Sequence, residues 1–351
     1  MPDGTSTLVP TLAFRYIRRM AETASGRSVL ITGANGFIGS RLCTMFLKEG
    51  FTVYAGVRKT ADLSMLQGMA VQYRYGDVTD PTNLPAMVLG IDYVIHNAGI
   101  VKAKSDAQFF AVNADGTRNL LAAIAQYNPA IKRFVLVSSM AAVGPSRDGK
   151  PLTDETLPNP VTVYGQSKLA GEKVCAEYAD SIPITIVRPH GVYGPADKEA
   201  FSFFKIADLR LKPMFGDANR MMQMVHVDDV CRGVFAATIA NVKSGSAYAI
   251  AEKRAYTLRE MVAMLERASG KRGLPLFVPS PIFRFIAAIS GGVARLFGQA
   301  PMLTRDKADE LLGGWEVSTE KARRELGFES RIAFEDGARE TFAWYREHGW
   351  L

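Results

Sequence analysis

The sequence predicts an α/β fold, a doubly wound parallel sheet followed by a smaller C-terminal α+β region, and three observations carry that prediction. Short apolar runs alternate with helical patterns from Arg27 to about residue 140, the order that a parallel sheet with crossover helices requires. The runs are apolar throughout, as strands buried on both faces are. A glycine-spaced turn ends the first of them: Val29 to Thr32 gives way to Gly33, Gly36 and Gly39 and then to an apolar helical pattern.

Strands are expected at 28–32, 52–57, 71–75, 91–95 and 133–138, with helices near 37–49, 81–88 and 107–127. In the first turn, Gly33 permits the tight bend, Gly36 lets backbone approach a pyrophosphate, and Gly39 lets the helix lie close on the strand. The N–H groups at the helix start then meet phosphate charge. Glycine-rich turns also occur for packing alone, so this stretch by itself leaves both readings open. The second strand, TVYAGVRK, ends in Arg58 and Lys59, with no acid where an NAD-selective site places one. A guanidinium offers paired hydrogen bonds to a ribose 2′-phosphate, so NADP(H) is expected over NAD(H). A solvated strand-end arginine is the alternative.

Asp77, in Gly76-Asp77-Val78, either accepts from an adenine amino group or is a turn aspartate. The small residues of HNAGI, 96–100, let the chain pass along a cofactor, and Asn113 is expected to hold structure through hydrogen bonds. The fifth strand ends in VSSMAAVG, and Thr162 to Glu172 reads TVYGQSKLAGE. Tyr164 and Lys168 are four residues apart and therefore share one helix face. A free phenol titrates near about 10, and an adjacent ammonium favours its ionised form, which suits proton transfer. Ser139 could hydrogen-bond the same reacting oxygen.

Further on, Asp228 or Asp229 is expected to cap a helix beginning at Val230, with His226 at a strand or turn end. A strand is expected at 246–250, and Thr257 with Glu260 forms a capping box. Pro275, Pro279 and Pro281 read as a break over 273–281. Ile282, Phe285, Ile286, Ile289, Val293, Leu296 and Phe297 recur at helical spacing; this helix either lies over a substrate pocket or also dips into a membrane surface. Two short amphipathic helices are expected to close the chain.

At 351 residues, 48% apolar, the chain is long enough for a large core. Its net charge of +7 is scattered apart from Arg15, Arg18, Arg19 and the pair Arg323, Arg324, which argues against nucleic acid as a partner. Cys43, Cys175 and Cys231 are far apart and odd in number, pointing to a reducing compartment, the cytoplasm, with peripheral membrane contact as a variant. The four histidines show no metal-ligand spacing, so no metal is expected. No apolar run reaches the roughly 18 residues of a membrane span. Residues 1–26 read as a dispensable arm or packing helix and lack the pattern of a secretory signal.

TGANGFIG, GDV at 76–78, HNAG, VNADGTRNLL, VSS with Ser139, YGQSK, RPHGVYGP at 188–195 and HVDDV at 226–230 occur in an order and spacing that resemble the extended short-chain dehydrogenase/reductase superfamily, of the NAD(P)-dependent epimerase/dehydratase type, from Arg27 onward. The resemblance implies a Rossmann domain over 27–190 and a substrate-binding region over 191–351, with about 224–240 returning to the first. It implies Tyr164 as acid/base, Lys168 lowering its pKa and binding nicotinamide ribose, and Ser139 polarising the carbonyl or alcohol. Cofactor contacts are implied for Gly33, Asn35, Gly36, Phe37, Ile38, Gly39, Arg58, Asp77, Val78, Asn97, Ala98, Gly99, Tyr164, Lys168, Pro189 and Val192. A homodimer face around the Tyr164 helix also follows the superfamily pattern.

Departures from the family pattern narrow the branch. Met140 and Ala141 follow Ser139 where the dehydratases carry Asp-Glu, so elimination lacks its acid. Met222 and Gln223 stand where sugar-nucleotide enzymes carry Arg-Asp, with Arg220 two residues away as a candidate substitute. Phe201, Phe203, Phe204, Met214, Phe215, Met221, Met222 and Met224 suit either a core or a lipid-like substrate. These features resemble the 3β-hydroxysteroid dehydrogenase and dihydroflavonol reductase-like branch. The expected activity is hydride transfer between nicotinamide and the carbonyl or alcohol of an apolar small molecule. A nucleotide-sugar epimerase and a non-catalytic NADP-sensing protein are the alternatives.

Overall fold

The computed structural model describes residues 27–296 and 303–351; the arm expected over 1–26, with its arginines, and Phe297 lie outside them. Seven strands form one fully parallel sheet in the order Ser246–Ile250, Ile184–Pro189, Arg133–Val137, Tyr93–His96, Ser28–Thr32, Thr52–Val57, Gln72–Tyr75. Every residue of Ser28–Thr32 and Arg133–Val137 is buried, the reason these runs are apolar without alternation. The helices Phe37–Lys48 and Val227–Ile239 pack on one face, around Val29, Ile31, Val135 and Val187. Gly116–Tyr127 and Val163–Tyr178 pack on the other, around Leu30, Val94, Phe134 and Ile186.

The chain leaves Ser28–Thr32 toward one sheet edge and returns through Tyr93–His96 to build the other. Between these neighbours lies the topological switch point, where the connections diverge and leave a crevice at the strands' carboxyl ends. The glycine turn and the HNAG segment both open onto it.

Several elements differ from expectation. The helix expected at 107–127 is Asp106–Phe110 and Gly116–Tyr127 joined by a π-helical turn, Ala111–Asp115. The helix expected from Val230 starts at Val227, and its cap is neither aspartate: the His226 ring accepts from the Asp228 amide at 3.3 Å. Asp229 is instead buried and accepts from the amides of Arg331 and Ile332 at 3.0 Å, stapling a distant loop to the helix. The break expected over 273–281 contains a strand, Leu274–Val278, parallel to Leu211–Phe215. Pro275 is tolerated because an isolated two-stranded ribbon is all edge.

Phe204 sits with Tyr193, Phe334 and Phe342 in a separate C-terminal core, and Phe201, Phe203, Met222 and Met224 pack against it. The capping box is present: Thr257 accepts from the Glu260 amide while the Glu260 carboxylate accepts from the Thr257 amide. The two final helices are Glu320–Leu326 and Phe334–Glu347.

Candidate active site

The cradle at the crevice is built from backbone that side chains would obstruct. Gly33 has φ +63°, and a Cβ there would lie 2.9 Å from the Ala98 Cα. A Cβ on Gly39 would lie 2.1 Å from the Gly33 carbonyl oxygen. The helix that begins at Phe37 has Gly36 as its N-cap, no capping side chain and no acid in its first turn. Its first amides and the positive end of its dipole are therefore left for an anion, so these residues fit a dinucleotide pyrophosphate. Phe37 and Ile38 are half-buried at this helix start, and Asn35 ties the turn to the Asp62 carbonyl at 3.1 Å.

Across the crevice, the Asn97 side-chain amide donates to the Gly33 carbonyl at 3.3 Å, and the Ala98 amide donates to the Thr32 hydroxyl at 3.1 Å. Gly99 follows against the Asn113 side chain, which is bonded to both backbone groups of Ile100 and to the Ser167 hydroxyl. Asn113 thus holds the loop to the helix that carries Tyr164 and Lys168. At the outer end, Arg58 is exposed just past Thr52–Val57. One oxygen of Asp77 accepts from the Thr79 amide and hydroxyl at 2.9 and 2.8 Å, the bonds of a turn aspartate. Val78 is buried behind it against Gly116.

Tyr164 and Lys168 stand on the helix Val163–Tyr178, whose N-cap Thr162 accepts from the Gly165 amide at 3.1 Å. Ser139 begins the turn after Arg133–Val137; its hydroxyl accepts from the Ala141 amide at 3.1 Å and stands close enough to the Tyr164 phenol to lower its pKa. Lys168 is buried; its ammonium donates to the Val137 carbonyl at 2.7 Å and lies 3.5 Å from where a Gly99 Cβ would be. The three side chains therefore converge beside the loop that edges the cradle.

Burial pushes the Tyr164 phenol up to about 12, opposed by the Ser139 hydrogen bond and reinforced by the nearby Glu310 carboxylate. Burial pushes Lys168 down to about 8, opposed by Glu172. The expected lowering of the phenol by Lys168 does not figure in its shift here, because an amine pushed down to about 8 has given up its proton before a phenol at about 12 titrates.

Beneath the site, buried Glu172 accepts from Ser138 at 2.5 Å and takes a two-pronged bond from Arg188, at 3.0 and 2.6 Å. That pair fixes the strand leading to Pro189, which is buried, and to Val192, which pairs with Val225.

Sequence patterns gave no sign of the residues that approach from the C-terminal region. The His190 ring stacks on Trp315 at 4.5 Å. Trp315 donates through its indole to the Glu310 carbonyl at 2.9 Å, and the Glu310 carboxylate pairs with Lys307 at 2.7 Å. The other Glu310 carboxylate oxygen is buried without a partner. The helix Arg305–Leu312 is stitched over the site by the Ser146 amide, which donates to the Gly314 carbonyl at 3.0 Å.

At the substitute proposed, Arg220, one guanidinium nitrogen, Nη1, donates to the carbonyls of Phe215 and Asp217 and closes a turn, while Nε is buried without a partner. Gln223 is buried and bridges the Glu252 carbonyl and the Val317 amide, a structural duty.

A family model described as "NAD dependent epimerase/dehydratase family" matches residues 29–251. A protein from Caulobacter vibrioides named ceramide reductase is 30% identical over 95% of this chain and 98% of its own length. A Mycobacterium tuberculosis protein named 3 beta-hydroxysteroid dehydrogenase/Delta 5-->4-isomerase is 29% identical over 94% of each. The solved structure of UDP-glucuronic acid 4-epimerase from Bacillus cereus in complex with NAD superposes with a TM-score of 0.73 at 24% identity, over 91% of this chain and 99% of that one, a likeness of fold.

Proposed function

Because the chain belongs to the NAD dependent epimerase/dehydratase family, we propose that it is a reductase, NADP(H) preferred, acting on the carbonyl or alcohol of an apolar lipid-, steroid- or flavonoid-like substrate. The observation that carries this reading is the convergence of Ser139, Tyr164 and Lys168 beside the glycine cradle. Bound in that cradle, a nicotinamide dinucleotide supplies or accepts the hydride. With its pKa pushed up to about 12, the Tyr164 phenol is protonated at neutral pH and ready to give its proton to a developing alkoxide. Ser139 offers a second hydrogen bond to the same oxygen. Of the three Lys168 donors one is on Val137, leaving others for a ribose hydroxyl.

The absence of a carboxyl pair after Ser139 argues against elimination, and the engaged Arg220 argues against a sugar diphosphate. The names of the ceramide and steroid relatives favour an apolar substrate. The phenylalanines and methionines of 201–204 and 222–224 give that choice no support, since they form core. Exposed Arg58 supports the preference for a 2′-phosphate.

NADPH and NADH oxidation measured against ketosteroids, flavanonols and long-chain acyl ketones, with UDP-glucose as contrast, tests the proposal. Tyr164→Phe is expected to lower kcat about 10²–10⁴-fold while dinucleotide affinity stays within about twofold of wild type. Unchanged turnover in that variant would overturn the catalytic assignment. Conversion of the UDP-sugar without net NADPH consumption would make the chain an epimerase instead. Faster turnover with NADH would remove the role given to Arg58.

A further inference from the structure

We propose that the face formed by the strand Leu274–Val278 and the helix Ser280–Leu296 docks on an anionic lipid surface, from which the substrate enters the site. The proposal rests on the apolar-substrate reading above for the second half of that statement only.

A surface helix of a water-exposed domain turns its apolar stripe inward. Here only a narrow stripe does so: Phe283 and Ala287 are buried against Phe215, Ala308 and Leu312, with the Phe283 and Phe215 rings stacked at 4.3 Å. Apart from Arg284 and Ser290, the rest of the described helix surface is apolar too. Ile282, Phe285, Ile286 and Ile289 are all exposed, Phe285 by 67%. The strand that runs into this helix exposes Phe277, by 58%, on one side and Leu274, by 73%, on the other. Large apolar side chains gathered on two consecutive elements mark an interaction surface.

Charge identifies the occupant. From 267 to 305 the sequence has six basic residues and no carboxylate. Arg267, Lys271 and Arg284 find acids on other elements. Arg272 and Arg210 have no ion pair among the described residues and flank the same end of the strand pair, where a Gly273 Cβ would lie 3.1 Å from the Arg210 carbonyl carbon. Apolar side chains with cations at one end, Arg210 without an acid and Arg272 with only the more distant Glu266, match the acyl boundary and anionic headgroups of a leaflet. Among the described residues no helix is long and apolar enough to cross a membrane, so the contact is a lateral one.

The docking face and the site share an element. The inner stripe of Ser280–Leu296 rests on the helix Arg305–Leu312, which places Glu310 near Tyr164 and leads to Trp315 on His190. The shortest way from the leaflet to the site therefore runs along this helix and Arg305–Leu312.

Flotation of the full chain with vesicles tests this without needing turnover. Wild type is expected to float with phosphatidylcholine vesicles containing about one third phosphatidylglycerol, and at least about tenfold less with phosphatidylcholine alone or at about 1 M salt. The triple variant Phe277→Ser, Phe285→Ser, Ile286→Ser is expected to lose flotation about tenfold or more, with melting temperature and dinucleotide affinity kept. Arg210→Gln with Arg272→Gln should reduce the preference for the anionic vesicles. Wild type remaining in solution with phosphatidylglycerol vesicles, equal flotation by the triple variant, or a dimer that the triple variant dissociates overturns the docking. A chain that floats yet reduces no ketone leaves the docking standing and removes the reductase reading. Reduction of a water-soluble ketone without flotation removes the docking alone.

Discussion

At the glycine cradle backbone lies against backbone: the notional Gly39 Cβ is 2.1 Å from a carbonyl oxygen, and the strand leading into the turn is wholly buried. At the C-terminal cover, in contrast, the helix Ser280–Leu296 rests on a narrow stripe and leaves its remaining described apolar side chains exposed. The first region is confined by atoms that cannot move independently, whereas the second is held by a few side-chain contacts. The difference matches the tasks proposed for them, a cofactor held through main-chain geometry and a substrate admitted by an adaptable surface.

Gly39→Ala is the sharpest way to break that contrast. The added methyl meets the backbone of Gly33 and Ala34, at 2.1 and 2.8 Å, where no rotamer can relieve it. The helix must lift from the strand. Such overpacking costs about 1–3 kcal/mol, and dinucleotide affinity should fall at least about tenfold. Phe285→Ser in the cover is the matched control and should shift stability by less than about 0.5 kcal/mol, with cofactor affinity unchanged. Thermal melts and dinucleotide titrations of both variants measure the contrast. Equal effects would show that the cradle is no more constrained than the cover.

The same contrast explains what could be read from the chain. Gly33, Gly36 and Gly39 announce themselves because the requirement is local: one residue type meets one backbone conformation within a short stretch. Tyr164 and Lys168 are legible for a similar reason, helical spacing placing them on one face. Of the cover only the helix Ser280–Leu296 was legible, from its apolar spacing; the rest was not, because its geometry is non-local. Leu274–Val278 is a strand by virtue of pairing with Leu211–Phe215, and its prolines read as a break. The Ile184–Pro189 strand, not singled out among the expected strands, is likewise set by its neighbours on both sides. Glu310 and Trp315 reach the site from far along the chain with no motif to mark them. His226 took the capping role assigned to an aspartate because Asp229 was already spent on the amides of Arg331 and Ile332.

A smaller effect separates the two regions by acid sensitivity, since each holds a histidine whose pKa burial pushes down to about 3, His96 at the cradle and His190 under Trp315. His96 is 1% exposed, its Nδ1 2.9 Å from the Thr32 hydroxyl and its Nε2 3.1 Å from the Thr117 hydroxyl. The Thr117 hydroxyl already donates to the Asn113 carbonyl, so it accepts from Nε2–H, and Nδ1 is left as the acceptor for Thr32. Protonation would put a second donor where only a donor waits. His190 is half-buried and can be reached by solvent, so its shift is realised less fully. Below the unfolded value near about 6.5 the unfolded chain binds a proton that folded His96 refuses, and stability is lost as pH falls from there toward about 3. Between pH 7 and pH 5 that loss amounts to about 2 kcal/mol for one such group. Denaturant melts across this window should therefore show a shallower acid slope in His96→Gln than in wild type, and a lesser change in His190→Gln. A steeper dependence on His190 would place the acid-sensitive point in the cover and reverse the order of rigidity argued for the two regions.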